Sequence, residues 1–371
     1  MQSPLRRAAL TVCVALLMVS AGCTDGIVPT PTDNTTQPDT EAPTTVDQYP
    51  PGVASNGTLT NGTALLDAHF DATANESIAL TQTLTGQNES VTYRYVHGAS
   101  PKPYYSSFNR TTDGDQLTEE FYWVGSNGYY RVTFDEQTRY SVFQNSTAGV
   151  TAWTHDSPFG PRSTLRSPLG VGNYSVNGTV ERDGQTFVRL TATDVSQALN
   201  EFWEAYEGTV LVTAEGVIYD IDSTFVQNTD NTTETVEESI SLTTNVEWSG
   251  PPSWVADVAQ LSISTVESGK ALEIRNTGGG ALPANASFNV YISNETRWGS
   301  PISGHPEGTI TTDARLEPGD AVYVTVSPGE DSPSFALHDD RVGGEFTIGE
   351  AGIMGTHENV FYRLQTDSKY S

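Results

Sequence analysis

Cysteine is nearly absent from this sequence of 371 residues, which contains only Cys13 and Cys23. Both lie within the first 23 residues, so the rest of the chain has no thiol with which to form a disulfide. The same scarcity excludes a cysteine metal site and a thiol nucleophile beyond that point. The sequence therefore predicts a fold that is stable without disulfides.

Basic residues are scarce as well, with 18 Lys and Arg against 46 Asp and Glu and a net charge of −28. Lys102, Lys270 and Lys369 are the only lysines. Such a surface repels nucleic acid and anionic lipid head groups, because both bind through cationic contacts. A hydrophobic content of 36% argues against disorder. Carboxylate excess with few lysines is typical of halophilic archaea, in which salt screens the repulsion between surface charges.

A hydrophobic run long enough to span a bilayer is also lacking. The longest is Ala8–Val19, and its roughly 12 residues fall short of the ~20 that a membrane-spanning helix needs. It follows Arg6 and Arg7 and precedes Ser20–Gly22 and Cys23, the order of a secretory signal. The segment resembles a prokaryotic lipobox. The resemblance implies a signal peptide over residues 1–22, a lipid on Cys23 and a location at the outer face of the cell membrane. An ordinary secretory signal is the alternative, and the export route (Sec or twin-arginine) stays open.

The segment after Cys23 is rich in Thr and Pro, as in Pro29–Thr32 and Asn34–Pro38. It has no apolar periodicity, and its prolines keep the backbone extended. We predict that residues 23–48 form a lipid-anchored stalk.

Residues 49–249 predict a mostly antiparallel domain with two helices. The apolar spacing predicts helices over Thr63–Asn75 and Val195–Tyr206. Between and after them, alternating segments bounded by Gly, Asn and Asp predict about eleven strands. The stretch from Ser146 to Gly172 holds three prolines and is predicted to be irregular.

This order of elements resembles the LolA/LolB-like fold of lipoprotein carriers. The blocks Tyr49–Val53 and Leu65–His69, with Gly208–Val212 and Glu215–Ile218 near the end, are similar to those of haloarchaeal surface lipoproteins. The resemblance implies a curved antiparallel sheet packed around helices, with an apolar cavity, and no catalytic residues. It covers roughly residues 50–248.

Residues 250–371 predict a second, all-β domain. Gly250, Pro251 and Pro252 interrupt strand pairing, and about seven short strands separated by turn signals follow. The segment Leu272–Gly279 resembles an edge of immunoglobulin-like accessory domains. We therefore expect an α+β, LolA-like domain followed by an immunoglobulin-like β-sandwich.

Aromatic residues give the strongest candidates for a binding site. Strand alternation places Tyr93 with Tyr95, and Phe121 with Trp123, on shared faces. These side chains could form either an ordinary core or a concave pocket for a lipid-like ligand. The pocket candidates are Phe70, Tyr93, Tyr95, Phe121, Trp123 and Tyr129.

Motifs for catalysis, metals and cofactors are lacking. The six histidines show no ligand spacing, pairs such as Asp220 and Asp222 lack the spacing of a calcium loop, and there is no Gly-x-Ser-x-Gly elbow. Sequons are abundant, and Asn34, Asn61 and Asn231 are the glycosylation candidates. We expect no catalytic residue, metal or cofactor.

Three functions remain open at this point. The first is a non-catalytic lipoprotein that binds a hydrophobic or amphipathic ligand in the first domain and the membrane through the lipid on Cys23. The second is a structural, glycosylated protein that contacts other cell-envelope proteins and holds no ligand. The third is a hydrolase with a dispersed site.

Overall fold

The computed structural model describes residues 46, 48–100, 103–145, 160–196, 203–229, 232–293, 307–327 and 334–366. Two α-helices occur in these ranges, α1 (Gly62–Thr73) and α2 (Pro161–Val171). The strands are β1 (Ile78–Thr85), β2 (Glu89–His97), β3 (Tyr104–Thr112), β4 (Asp115–Val124), β5 (Asn127–Phe134), β6 (Gln137–Gln144), β7 (Ser175–Arg182), β8 (Gln185–Ala192), β9 (Trp203–Val212), β10 (Ile218–Thr229), β11 (Thr232–Thr244), β12 (Leu261–Val266), β13 (Ala271–Asn276), β14 (Ser287–Ser293), β15 (Glu307–Thr311), β16 (Ala321–Ser327), β17 (Ser334–His338), β18 (Glu350–His357) and β19 (Val360–Gln365).

The chain splits into two compact units that differ from simple sequence halves. The first unit comprises the described residues of Met1–Thr73, Gln82–Ser90 and Thr164–Leu242. The second comprises those of Ala74–Thr81, Val91–Ser163 and Thr243–Ser371. The hairpin of β1 and β2 contributes residues to both.

The first unit is an antiparallel sheet in the order β11-β10-β9-β8-β7, accompanied by α1 and most of α2. Helix α1 begins after Asn61, whose Oδ1 accepts the Ala64 N–H at 3.0 Å and so caps the helix. Leu65, Leu66 and His69 are its buried face. The turn between β9 and β10 has Gly216 at φ +100°, and a Cβ there would lie 2.8 Å from the Ala68 Cβ. Glycine therefore lets α1 pack closely on this turn.

The second unit contains strands in the order β15-β14-β18-β19-β6-β5-β4-β3 and a separate sheet in the order β12-β13-β16-β17. Strand β19 pairs with β6 in parallel, whereas its other neighbour, β18, is antiparallel. A hydrophobic core joins Tyr122, Tyr129 and Val142 to Trp254 and to apolar residues of both sheets. This core makes β4–β6 and the C-terminal strands one packed unit.

These observations correct the predicted fold class. The described residues are mostly strand, and the strands form a fifteen-stranded mixed sheet and a four-stranded sheet rather than a LolA-like antiparallel sheet packed around helices. The prediction of a separate immunoglobulin-like sandwich is also wrong, because β14, β15, β18 and β19 extend the sheet that contains β6. The physical reason is the open edge of β6, whose backbone groups bond to β19.

The prediction of a helix over Val195–Tyr206 is also wrong for the residues of this range that the structure describes. Residues 197–202 lie outside the described residues, and β9 begins at Trp203. Tyr206, Val210 and Val212 are buried with even spacing, the period of a strand. Conversely, α2 occupies the stretch predicted to be irregular. Pro161 is its first residue, where a missing N–H costs nothing.

Candidate functional site

The register of β3, β4 and β5 determines which candidate side chains share a face. Tyr104 lies opposite Trp123, and Ser106 lies opposite Phe121. Directly opposite residues of an antiparallel pair project to the same side of the sheet. Four side chains of β3 and β4 are thus brought together.

Tyr93 and Tyr95 of β2 complete this surface, which we call the aromatic layer (Tyr93, Tyr95, Tyr104, Phe121 and Trp123). Ring centroids are 5.3 Å apart between Tyr95 and Tyr104, and 5.9 Å apart both between Tyr104 and Phe121 and between Phe121 and Trp123. All five side chains are buried. These separations are typical of packed aromatic pairs, so the rings of Tyr95, Tyr104, Phe121 and Trp123 form a continuous packed set.

A glycine on the neighbouring strand makes room for the indole of Trp123. Gly128 lies opposite Trp123 in the pairing of β4 with β5. A Cβ on Gly128 would come within 2.6 Å of the Trp123 ring and 3.2 Å of Phe121. Only a residue without a side chain allows the rings to lie this close to the β5 backbone.

Two pocket candidates lie elsewhere. Tyr129 pairs with Tyr122 rather than Phe121, so it projects from the opposite face and belongs to the core around Trp254. Phe70 lies in the first unit on α1, partly exposed, with its ring 4.8 Å from that of His69. Four of the six candidates therefore form one surface. The register between β4 and β5 separates Tyr129 from these four residues. Alternation within a single strand does not reveal that register.

Two hydroxyl groups on the face that carries the aromatic layer lack the partners that buried polar groups normally have. Tyr104 is 3% exposed and Ser106 is 1% exposed. Neither Tyr104 Oη nor Ser106 Oγ has a hydrogen-bond partner among the described residues. A buried unsatisfied hydroxyl costs about 1–3 kcal/mol. Sequence reasoning missed Ser106, although its position two residues after Tyr104 in a strand predicts the same face.

The next positions along this face carry charge. Glu119 precedes Phe121 by two residues and is buried. Burial raises the pKa of its carboxyl group, while a hydrogen bond from Tyr130 and the charge of Arg110 act in the opposite direction. Burial also raises the pKa of Tyr95 and Tyr104, so both phenols remain neutral at physiological pH.

The opposite face of β4 and β5 holds an ion pair. Glu120 pairs with Arg131 and accepts a hydrogen bond from Tyr105 Oη at 2.9 Å. The Arg131 guanidinium lies 5.6 Å from the ring centre of Trp254. Burial and the bond to Glu120 raise the pKa of Tyr105 to about 12. These contacts hold the segment around Trp254 on the sheet and therefore have a structural role.

The first unit contains a different kind of surface, a polar concavity of about 390 Å³. Hydroxyl and carboxylate side chains line it, and Ser239 Oγ donates to Asp222 Oδ1 at 2.9 Å. Its lining includes Thr83, Thr209, Asp222, Thr224, Glu237 and Ser239. This polar surface does not match an apolar pocket.

Glu238 lies between Glu237 and Ser239 on β11 and is buried. Within the described part of the chain, its hydrogen bonds come from neutral donors. Gln82 Nε2 donates to its Oε1 at 2.7 Å, and Ser223 Oγ donates to its Oε2 at 3.1 Å. Burial raises the pKa of Glu238 despite these two bonds. Nearby, Tyr174 and Tyr206 share a hydroxyl–hydroxyl bond of 2.6 Å.

Among the described residues, no group of three or more His, Cys, Asp and Glu side chains could hold a metal ion. His69 is buried, and its Nδ1 accepts the Ile218 N–H at 3.1 Å. Asn61 is the exposed cap of α1. Cys23, Asn34 and Asn231 lie outside the described residues.

Within the described ranges, no helix combines the length and apolar character needed to cross a membrane.

Comparisons with known proteins identify one family. The chain matches a family of unknown function, DUF7537, over residues 8–259. No curated protein sequence matches it at a significant level. Among solved structures it is similar to MucB in complex with MucA(peri), at 14% identity and a TM-score of 0.23, covering 75% of this chain and 92% of that one. It is also similar to the Pseudomonas aeruginosa MucA/MucB complex, at 14% identity and a TM-score of 0.23, covering 74% of this chain and 90% of that one. A TM-score of 0.23 is too low to transfer a function.

Proposed function

The chain belongs to the DUF7537 family of unknown function, and we propose that it is a non-catalytic lipoprotein on the extracellular face of the cell membrane that binds an amphipathic ligand at its aromatic layer. The anchor is a lipid on Cys23. The basic start, the apolar run and the small residues before Cys23 support it. The Thr/Pro-rich segment that follows would hold the folded part away from the bilayer.

The observation that carries the ligand proposal is the pair of unsatisfied hydroxyls on Tyr104 and Ser106. Phe and Ala would fill nearly the same space without a desolvation cost, since each differs from the native residue by one oxygen. Two such costs on one face, at positions i and i+2, are explained if a ligand bonds to both hydroxyls. The surrounding rings supply the apolar wall that small-molecule sites generally have.

Ligand entry requires the layer to open, because its rings are in contact at 5.3–5.9 Å. Binding then selects an open arrangement, and the cost of opening lowers the apparent affinity. The bonds to Tyr104 and Ser106 would form only in that arrangement, which gives the ligand its preference for the open state.

The test is the lipid content of the full chain purified from its native membrane. Organic extraction followed by mass spectrometry should find a non-covalent amphiphile close to one per chain. Tyr104→Phe should reduce that amount. Tyr129→Phe is the matched control, because this tyrosine is equally buried on the opposite face of the sheet.

An extract that holds only the covalent anchor lipid would contradict the ligand proposal. That result would favour a structural protein that contacts other envelope proteins through its surface. The anchor is tested separately. Cys23→Ser should release the chain into the medium or leave it unprocessed, and correct cleavage with retention in the membrane would refute lipidation.

A further inference from the structure

The charges beside the aromatic layer constrain the head group of its ligand. Glu119 lies on the same face as Phe121, two residues away, and Tyr130 lies opposite Phe121 on β5. Tyr130 bonds to the Glu119 carboxyl group, and the charge of Arg110 acts on it. The carboxyl group thus already has a donor and a nearby cation.

An anionic head group would find no suitable partner here. A buried charge needs a counter-charge, and Arg110, the cation identified on this face, already interacts with Glu119. The buried Glu119 would also repel an anion. Fatty acids and acidic phospholipids therefore fit this surface poorly.

A cationic head group fits poorly for a related reason. Glu119 is the carboxyl group it would need, but that group already accepts a hydrogen bond from Tyr130 and interacts with the charge of Arg110. What this face of the sheet does offer is Tyr104 Oη and Ser106 Oγ, each of which can donate one hydrogen bond to a neutral oxygen and accept one from a hydroxyl group.

We infer that the ligand of the aromatic layer is an uncharged amphiphile, with an oxygen-bearing head group on Tyr104 and Ser106 and an apolar body against the rings. This inference rests on the proposed function and narrows it to one chemical class, that of alcohols, esters and other neutral oxygen head groups. It also makes Tyr104 and Ser106 the specificity determinants.

A stability measurement follows directly from the missing partners. In the ligand-free chain, Tyr104→Phe and Ser106→Ala each remove a buried hydroxyl that has no bond, so both variants should raise the melting temperature. Tyr129→Phe removes a hydroxyl that is bonded to Asn127, so it should lower the melting temperature slightly. A rise in melting temperature on removal of the hydroxyl group is expected for a residue that is retained for binding at the expense of stability.

The head group is tested with three probes that share a ten-carbon chain: 1-decanol, decanoate and decyltrimethylammonium. Titrations of the delipidated full chain use isothermal calorimetry below the critical micelle concentrations of the two ionic probes and below the solubility limit of decanol. With a net charge of −28, the surface will attract the cationic probe non-specifically. Only binding that Tyr104→Phe weakens is therefore counted, and Tyr129→Phe serves as the control.

We expect decanol to bind at least tenfold more tightly than either charged probe. Tyr104→Phe should weaken decanol binding about tenfold, which corresponds to the loss of one hydrogen bond. Ser106→Ala should act in the same direction. If a charged probe binds more tightly in a Tyr104-dependent manner, the head-group inference is wrong and the proposed function stands. If no probe shows Tyr104-dependent binding, both are wrong.

Discussion

Replacing His69 tests how the first unit holds α1. The imidazole is 1% exposed, and its Nδ1 accepts the backbone N–H of Ile218 at 3.1 Å. The proton of the neutral ring must therefore be on Nε2. Ile218 itself is fully buried, so its N–H has no access to bulk water while the ring is in place.

The expected loss for His69→Ala has two parts. An unsatisfied buried N–H at Ile218 costs about 1–3 kcal/mol. Removing a buried ring adds a packing loss, of which the edge contact with Phe70 at 4.8 Å is worth about 0.5–1.5 kcal/mol. Together these two contributions amount to about 1.5–4.5 kcal/mol. His69→Asn keeps an acceptor near the position of Nδ1, so it should recover about 1–3 kcal/mol of this loss.

Urea denaturation followed by circular dichroism gives the free energies, and hydrogen exchange with mass spectrometry reports on the peptide that contains Ile218. His69→Ala should accelerate exchange there, whereas His69→Asn should largely preserve protection. The measurements belong at pH 8, where a histidine with an ordinary pKa is neutral. Equal losses for the two variants, with equal exchange, would refute the role of the hydrogen bond.

Three further predictions concern buried polar and close-packed positions. Burial raises the pKa of Glu238, so its stabilising proton is fully bound below the unfolded pKa and lost as pH rises through the folded pKa. Relative to Glu238→Gln, the wild type should therefore gain stability on acidification from pH 7 towards pH 4, and parallel urea midpoints would contradict this. Gly128→Ala should cost about 1–3 kcal/mol and change the near-ultraviolet dichroism of Trp123, because the added Cβ meets the indole. Asn276 is fully buried and donates to the Gly280 and Leu316 carbonyls at 2.9 and 3.1 Å, so Asn276→Ala should lower stability by about 2–4 kcal/mol in thermal unfolding, more than Thr277→Ala, an exposed neighbour.

Local periodicity predicted the elements whose burial follows a simple pattern. Helix α1 begins at Gly62, one residue before the predicted start, because its apolar face repeats with the helical period. Strands β4 and β5 lie within two residues of their predicted starts. The shared faces of Tyr93 with Tyr95 and of Phe121 with Trp123 follow from the two-residue period alone.

Features that depend on distant partners were beyond this reasoning. Whether Tyr129 faces Phe121 or Tyr122 depends on the β4–β5 register, and a shift of one residue would exchange the two faces. The parallel pairing of β19 with β6 joins residues more than 200 positions apart. No local pattern encodes that choice, so the predicted separation into a curved sheet and a sandwich was wrong. The domain boundary at residues 249 and 250 stays a prediction.

The carboxylates divide into two groups with different consequences for stability. Of the 46 in the chain, Glu119, Glu120 and Glu238 are buried among the described residues. Glu120 is compensated by Arg131, Glu119 by Tyr130 and Arg110, and Glu238 by the neutral donors Gln82 and Ser223. Exposed charges are screened within about 10 Å at 0.1 M salt, whereas buried ones are screened much less. Salt should therefore act on stability through the exposed majority, and the difference between Glu238→Gln and the wild type should be nearly independent of salt.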